Sequence, residues 1–269
     1  MASYTGIDDP SLHFQIMTYV GTAGIFDPAD GSTEDYTFTD HGDGVAMKPD
    51  WMWFKGRNYA NDWTSYDSTL GFGSNGDEEN GALYPSITAA EGGGNTHSSY
   101  GYLKSFDTDG FTGESGSIGA AGRAVWGYAS QALALGWKAN GGTTSSNSDG
   151  SITSTVQANT DAGFSIVQYT GTGSAATVGH GLGVKPDVLI CRNTTTSMDW
   201  AVYHTGLSDN GYELALNTTA AQHDVGNDYW NETDPTTSVF SVGDGSFTNQ
   251  NNNEIICYAF ASKQVFSKF

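Results

Sequence analysis

The chain repeats itself. Gly44–Leu70 lies on Gly181–Leu207 without a gap, and eight of the 27 aligned positions are identical. These are Gly44/Gly181, Lys48/Lys185, Pro49/Pro186, Asp50/Asp187, Asp62/Asp199, Trp63/Trp200, Tyr66/Tyr203 and Leu70/Leu207. Lys55 faces Arg192, so a cation is kept there as well. Upstream, FQIMTYVGT from Phe14 matches FSIVQYTGT from Phe164. Downstream, DGFTG (Asp109–Gly113) loosely matches SVFSV (Ser238–Val242), and LALGW (Leu133–Trp137) matches ICYAF (Ile256–Phe260). A duplication means that whatever one half folds into, the other must fold into as well.

The matched runs are short and alternate with period two, bounded by Gly, Asn, Asp or Pro, which is the pattern of sheet strands. Ile256, Tyr258 and Phe260 oppose Ile255, Cys257 and Ala259 in this way. The stretch GAAGRAVWGYASQALALGWKA is rich in Ala, but its end aligns with the strand-like ICYAF, so it too reads as a strand. With 36 glycines and no helical periodicity, the chain is expected to be all-β: two tandem β-sandwich or jelly-roll repeats with long Gly/Asn/Ser/Thr loops. The expected layout is an N-terminal arm over 1–13, a first repeat over 14–140, a linker with a strand in its second half over 141–163, and a second repeat over 164–269. The first copy carries three polar insertions, FDPADGSTEDYTFTD, SNGDEENGAL and EGGGNTHSSYG, all read as loops.

Charge excludes several partners. Thirty acidic residues against ten Lys and Arg give a formal charge of −20, and no Lys or Arg occurs between Asn193 and Ser262. Such a chain repels phosphate backbones and anionic lipid, so no nucleic acid partner is expected. No apolar run approaches membrane-spanning length and the N-terminus lacks a signal pattern, so no membrane insertion is expected either. Cys191 and Cys257 sit in apolar runs and read as two reduced core thiols, with a disulfide between neighbouring strands as the alternative.

No catalytic pattern emerges. Gly71–Gly76 spells G-x-G-x-x-G, but an acidic loop follows where a dinucleotide site needs a helix. No G-x-S-x-G elbow occurs, and the six histidines form no metal-binding pair. His204 replaces Asp67 of the first copy. A glycosidase needs only two suitably spaced carboxylates, and nothing singles out a pair; Asp62 and Asp199 read as fold positions. Asp107-Thr108-Asp109-Gly110 starts like a calcium loop without its distal ligands, so no cofactor is expected beyond an incidental structural Ca²⁺. Aromatics beside amide and carboxyl groups suit sugar rings, which offer C–H faces and hydroxyls. Asp228, Tyr229, Trp230 and Asn231, with Tyr100 and Tyr102 in the first copy, are the candidate ligand-binding residues; the alternative is that the aromatics plug the end of the fold.

The runs DDPSLHFQ, KPD, DWxxY, SNSDGSITSTVQANTDAGFSIVQYTGTG, VGHGLGVKPD and YWNETDPTTSVFSVG together resemble a known family. They are similar to the repeated domain of virion structural proteins of marine bacteriophages, especially phages of cyanobacteria and abundant ocean bacteria. The resemblance covers almost the whole chain and is most specific in Asn147–Gly173 and Val178–Val242; the first copy departs through its loops. It implies lectin-like (concanavalin A-type) sandwiches on the particle surface, made in the host cytoplasm. The expected role is a tail-fibre or appendage component that attaches to host-surface glycans, alongside other virion proteins and as a homo-oligomer. Alternatives are a capsid-decorating protein of the head and a glycan hydrolase. In that family a run like VFSKF leads into the strand opening the next repeat, so the C-terminal run is expected to pair with a neighbouring subunit.

Overall fold

A computed structural model describes residues 7–20, 35–39, 45–58, 60–71, 81–92, 101–115, 125 and 131–269. About 42% of the described residues are strand and 5% helix, in several antiparallel sheets, so the protein is all-β. It divides into two compact units. The N-terminal unit is Ser11–Pro85 with Glu91–Gly141; the C-terminal unit is Gly142–Phe269 with Met1–Pro10 and Ser86–Ala90.

In the N-terminal unit the strands are β1 (Phe14–Val20), β2 (Asp35–Phe38), β3 (Trp51–Gly56), β4 (Thr64–Asp67), β5 (Gly101–Asp107), β6 (Gly110–Ser115) and β7 (Gln131–Trp137). They form a four-stranded sheet in the order β1-β7-β3-β4 and a three-stranded sheet in the order β2-β6-β5. β2 arises from FDPADGSTEDYTFTD, where only a loop was expected. Its pairing partner is distant in sequence, and Phe38 opposite Phe111 supplies the apolar contact that holds it there. Four indoles gather on the larger sheet. Trp51 is fully buried and lies 4.7 Å from Trp137 and 5.2 Å from Trp53, which meets Trp63 edge-on at 5.8 Å.

The C-terminal unit contains β8 (Ser145–Asn147), β9 (Ser154–Asn159), β10 (Phe164–Thr170), β11 (Ala176–Gly179), β12 (Val188–Asn193), β13 (Ala201–His204), β14 (Tyr212–Ala215), β15 (His223–Asp224), β16 (Val239–Val242) and β17 (Glu254–Phe260). Two single-turn helices, α1 (Asn227–Trp230) and α2 (Ser246–Asn249), interrupt it. The main sheet runs β15-β14-β13-β12-β17-β10-β9-β8, and β11 pairs with β16 separately. One apolar cluster draws Val167, Tyr169, Leu189, Cys191, Ile255 and Cys257 from the main sheet and Val178, Phe240 and Val242 from the small one. Burial of this kind is the dominant favourable term in folding.

The duplicated sequence positions hold duplicated structure. Phe14 faces Trp137 and Trp137 faces Trp51; Phe164 faces Phe260 and Phe260 faces Val188, in the same antiparallel register. The order β1-β7-β3-β4 thus reappears as β10-β17-β12-β13, and β2-β6 as β11-β16. Pro49 and Pro186 are both buried. The Asp50 N–H donates to the Trp137 carbonyl at 2.8 Å, and the Asp187 N–H to the Phe260 carbonyl at 2.7 Å. Both carboxylates then hold the chain that leaves the central strand. Asp50 accepts from the Ala139 and Gly141 N–H groups at 2.7 and 2.8 Å, and Asp187 from the Ser262 N–H at 2.7 Å.

The reading of the cysteines is corrected. Cys191 and Cys257 are joined as a disulfide, because the β12–β17 register sets them directly opposite at a Cα separation of 4.1 Å. Trp63 and Trp200, identical in the repeat, differ in burial: Trp200 is fully buried, whereas Trp63 is partly exposed. Within the single chain the C-terminal run folds locally. It turns back on itself, with the Phe266 and Ser267 N–H groups donating to the Lys263 carbonyl at 3.0 Å, and Phe269 lies against Phe260 at 5.5 Å.

Candidate functional site

An open cleft of about 330 Å³ lies within the C-terminal unit, lined by Gly173, Ser174, Ala175, Asn227, Asn231, Gly243 and Asp244. Its walls are the turn after β10, the helix α1 and the turn after β16. The two turns are fixed by the buried side chain of Asn249 at the end of α2. The Asn249 carboxamide donates to the Ser174 carbonyl at 2.7 Å and the Gly243 carbonyl at 2.6 Å, and accepts from the Thr172 N–H at 2.8 Å. One residue therefore ties together two walls whose sequence positions are about 70 residues apart.

Glycine makes the third wall fit. A Cβ on Gly243 would sit 1.8 Å from the Asn227 carbonyl oxygen, and one on Gly245 would sit 2.6 Å from that of Asp228. Their N–H groups donate to the Tyr229 and Asp228 carbonyls at 3.1 and 2.8 Å, respectively. Any larger residue there pushes α1 off its seat. Thr248 Oγ1 also donates to the Tyr229 carbonyl, and the Tyr169 hydroxyl donates to the Thr248 carbonyl at 2.5 Å.

Among the described residues the groups facing the cleft have no side-chain hydrogen bonds of their own. The Asn227, Ser174 and Asp244 side chains are exposed and Asn231 is partly so. Asn231 caps α1 in the left-handed region at φ 51°, ψ 38°, which Asn tolerates better than most residues. Behind the cleft, Tyr229 packs on Phe247 at 5.0 Å. Burial pushes the Tyr229 hydroxyl pKa up, and Glu213, Asp228 and Asp199 add to it, so the phenol stays neutral. Burial likewise raises the Glu213 carboxyl pKa; His223 opposes the shift and Asp199 adds to it.

The structure redistributes the candidate ligand residues. Asn231 lines the cleft and Asp228 is exposed beside it. Tyr229 supports the wall from behind. Trp230 does not face a ligand: it is 1% exposed, belongs to the apolar cluster and meets Tyr203 edge-on at 5.9 Å. The segment is a helical turn rather than a loop, so Asn227 and Asn231, four apart, share the outer face while Trp230 turns inward. Tyr102 is buried in β5 with its hydroxyl donating to Glu114 at 2.8 Å, so it offers no open ring face. Tyr100 lies outside the described residues.

Sequence reading missed Ser174, Asn227, Asp244 and the pin Asn249. The signal available was the pair of glycine-punctuated turns, TGTGS and VGDGS, each of which forms one wall.

The repeat residues play structural parts. Lys185 pairs with Asp234 at 2.8 Å, and Asp234 also accepts from the Tyr203 hydroxyl at 2.8 Å. These two hydrogen bonds hold the Asp234 carboxyl below its usual range, while burial pushes the Tyr203 hydroxyl up. Lys48 is partly buried, Tyr66 is buried like Tyr203, and Asp62 is exposed. Asp199 accepts from Asn217 Nδ2 at 2.6 Å, and Asn217 in turn accepts from the Trp200 N–H at 3.0 Å. His204 replaces Asp67 and keeps its task. Asp67 Oδ1 accepts from the N–H groups of Thr69 and Leu70, both at 2.9 Å, and His204 Nδ1 accepts from the Gly206 N–H at 2.8 Å.

For the calcium-like run, Asp107 accepts from the Ser105 and Thr112 hydroxyls at 2.7 Å and so closes the β5–β6 turn. Among the described residues no helix is long and apolar enough to cross a membrane, and no cluster of three His, Cys, Asp or Glu residues could hold a metal ion. All of the G-x-G-x-x-G run except Gly71 lies outside the described residues.

Searches of curated proteins and of solved structures each returned no match. A family model matches residues 9–269, through both units, and the chain belongs to that family, described as a domain of unknown function (DUF7483).

Proposed function

We propose that this protein is a structural component of a bacteriophage virion, a tail-fibre or appendage protein whose two units are lectin-like β-sandwiches, and that it contacts host-surface glycans through the cleft of the C-terminal unit. The observation that carries the reading is the cleft itself. Two of its walls are pinned by buried hydrogen bonds to Asn249, while the carboxamides, hydroxyl and carboxylate that face outward are left with unspent hydrogen-bonding capacity. Binding sites for polar ligands are built this way, with a rigid frame and a few convergent polar groups. The strand pattern and the sequence runs that resemble marine-phage virion proteins support the setting. In this reading the protein assembles with other virion proteins and with copies of itself, and it is not an enzyme.

Gold-labelled antibody imaging of intact particles tests the setting. Label on the tail or its appendages is the expected result. Label scattered over the head makes the protein a capsid decoration and overturns the attachment role, and particles without label overturn the virion assignment altogether.

A further inference from the structure

We infer that the cleft takes a neutral glycan, pyranose units that carry no carboxylate, sulfate or phosphate. This rests on the reading of the protein as a glycan-contacting surface component and names the class of sugar that the site selects.

Charge comes first. Asp244 is the ionisable side chain in the lining, and the cleft holds no cation. None is near in sequence either, since Lys and Arg are missing from Asn193 to Ser262, the stretch that supplies α1, β16 and α2. Asp228 and Glu232 flank the wall and add negative charge. Lys185 is engaged with Asp234. An anionic group beside Asp244 would meet like-charge repulsion, before the neighbouring acids are counted. Sites for sulfated or uronic-acid glycans need cations, and Arg above all, to match the charge.

Hydrogen-bonding capacity comes second. Asn227 and Asn231 each present a donor and an acceptor, Ser174 presents both on one oxygen, and Asp244 presents acceptors. Sugar hydroxyls are donors and acceptors at once, so each lining group can be satisfied by a neutral ring. The volume of about 330 Å³ is at the small end of ligand sites, which suits one or two sugar units rather than a long chain. Preorganisation comes third. Because Asn249 and the glycine contacts set the walls before any ligand arrives, little ordering cost falls on binding.

The test uses the full chain with neutral hexose and N-acetylhexosamine oligosaccharides beside sulfated and uronic-acid oligosaccharides, measured by titration calorimetry. Two variants keep the fold intact. Asn231→Gly retains the left-handed cap and removes the carboxamide, and Asp244→Asn keeps the shape and removes the charge. The expected result is binding of neutral oligosaccharides, with each variant weakening it by about tenfold, the loss of roughly one hydrogen bond. Thermal stability should be unchanged. If the anionic oligosaccharides bind as tightly or tighter, and Asp244→Asn strengthens them, the neutral assignment is wrong while the glycan-contacting reading stands. Binding confined to amine-bearing sugars and lost in salt would overturn it in the opposite sense. Neutral binding untouched by both variants would remove the site from this cleft. An absence of binding to every glycan class would bring down the attachment reading itself.

Discussion

Lys55 in the N-terminal unit and Arg192 in the C-terminal unit occupy the same place in the repeat and perform the same task at different strength. Lys55 reaches the Asn61 carbonyl across the β3–β4 hairpin and Asn61 Oδ1 at 3.1 Å. Arg192 reaches the equivalent Met198 carbonyl across β12–β13, and its second Nη extends to the carbonyls of Thr88, at 2.8 Å, and Ala89. The guanidinium fork thus gathers the Ser86–Ala90 segment into the C-terminal unit, which a single ammonium does not do. Burial lowers the Arg192 pKa to about 10, against the pull of Asp199, and its carbon Cζ sits 5.7 Å from the Trp200 ring centre. The lesson is that one sheet frame was kept in duplicate while the attachments to it diverged. The C-terminal unit gained the strands β8, β9, β14 and β15 around the frame, with a helix-walled cleft between its turns. The N-terminal unit filled the same frame with indoles.

The comparison can be broken most sharply at the tryptophans. Trp200→Ala should destabilise by about 3–5 kcal/mol in chemical denaturation, the range for a buried Trp, with Trp63→Ala costing clearly less. Equal costs at both sites would contradict the burial difference on which the comparison rests. Trp230→Ala belongs with Trp200, and a loss of stability of similar size is expected rather than a selective loss of binding.

Arg192→Met should follow at about 2–4 kcal/mol, because it leaves buried carbonyls without donors. Lys55→Met, which frees fewer acceptors, should cost less by the same measurement. If the two were alike, the extra reach of Arg192 would carry no energy.

The pH dependence sharpens one further difference. His180 is buried, with Nδ1 accepting from the Leu182 N–H and Nε2 facing the Thr236 carbonyl, each at 3.2 Å. Burial lowers its pKa, although the Thr236 carbonyl and Asp149 pull the other way. The unfolded chain therefore binds a proton near pH 6.5 that the folded chain refuses, and stability falls as pH drops below about 6.5. His180→Gln should flatten that part of the stability profile; an unchanged slope would show that other groups cause it. The smallest effect belongs to His204→Asp, which restores the residue of the first copy and should change stability by less than about 0.5 kcal/mol.

Most of the frame was legible because period-two alternation and the repeat are local signals. LALGW could be recognised as a strand only by lying it on ICYAF, and β7 and β17 do occupy the same place in their sheets. What remained illegible was register and long-range pairing. Nothing in DVLICRN or EIICYAF says that Cys191 and Cys257 face each other; the β12–β17 pairing decides it. β2 was hidden for the same reason, since an acidic, glycine-punctuated segment becomes a strand once Phe38 has Phe111 to pack on. The site was half legible. Polar groups beside an aromatic drew notice to Asp228–Asn231, but a single helical turn, held by contacts to Gly243 and Gly245, decides which side chains look outward.

The central claim is that recognition belongs to one unit of a duplicated frame. Backbone amide NMR of the full chain, titrated with neutral oligosaccharides, tests it directly. Shifts concentrated at Gly173, Ser174, Asn227, Asn231, Gly243 and Asp244 are the predicted result, with the N-terminal unit unmoved. Shifts centred on the indoles of the N-terminal unit, or spread equally over equivalent positions of both, would contradict it.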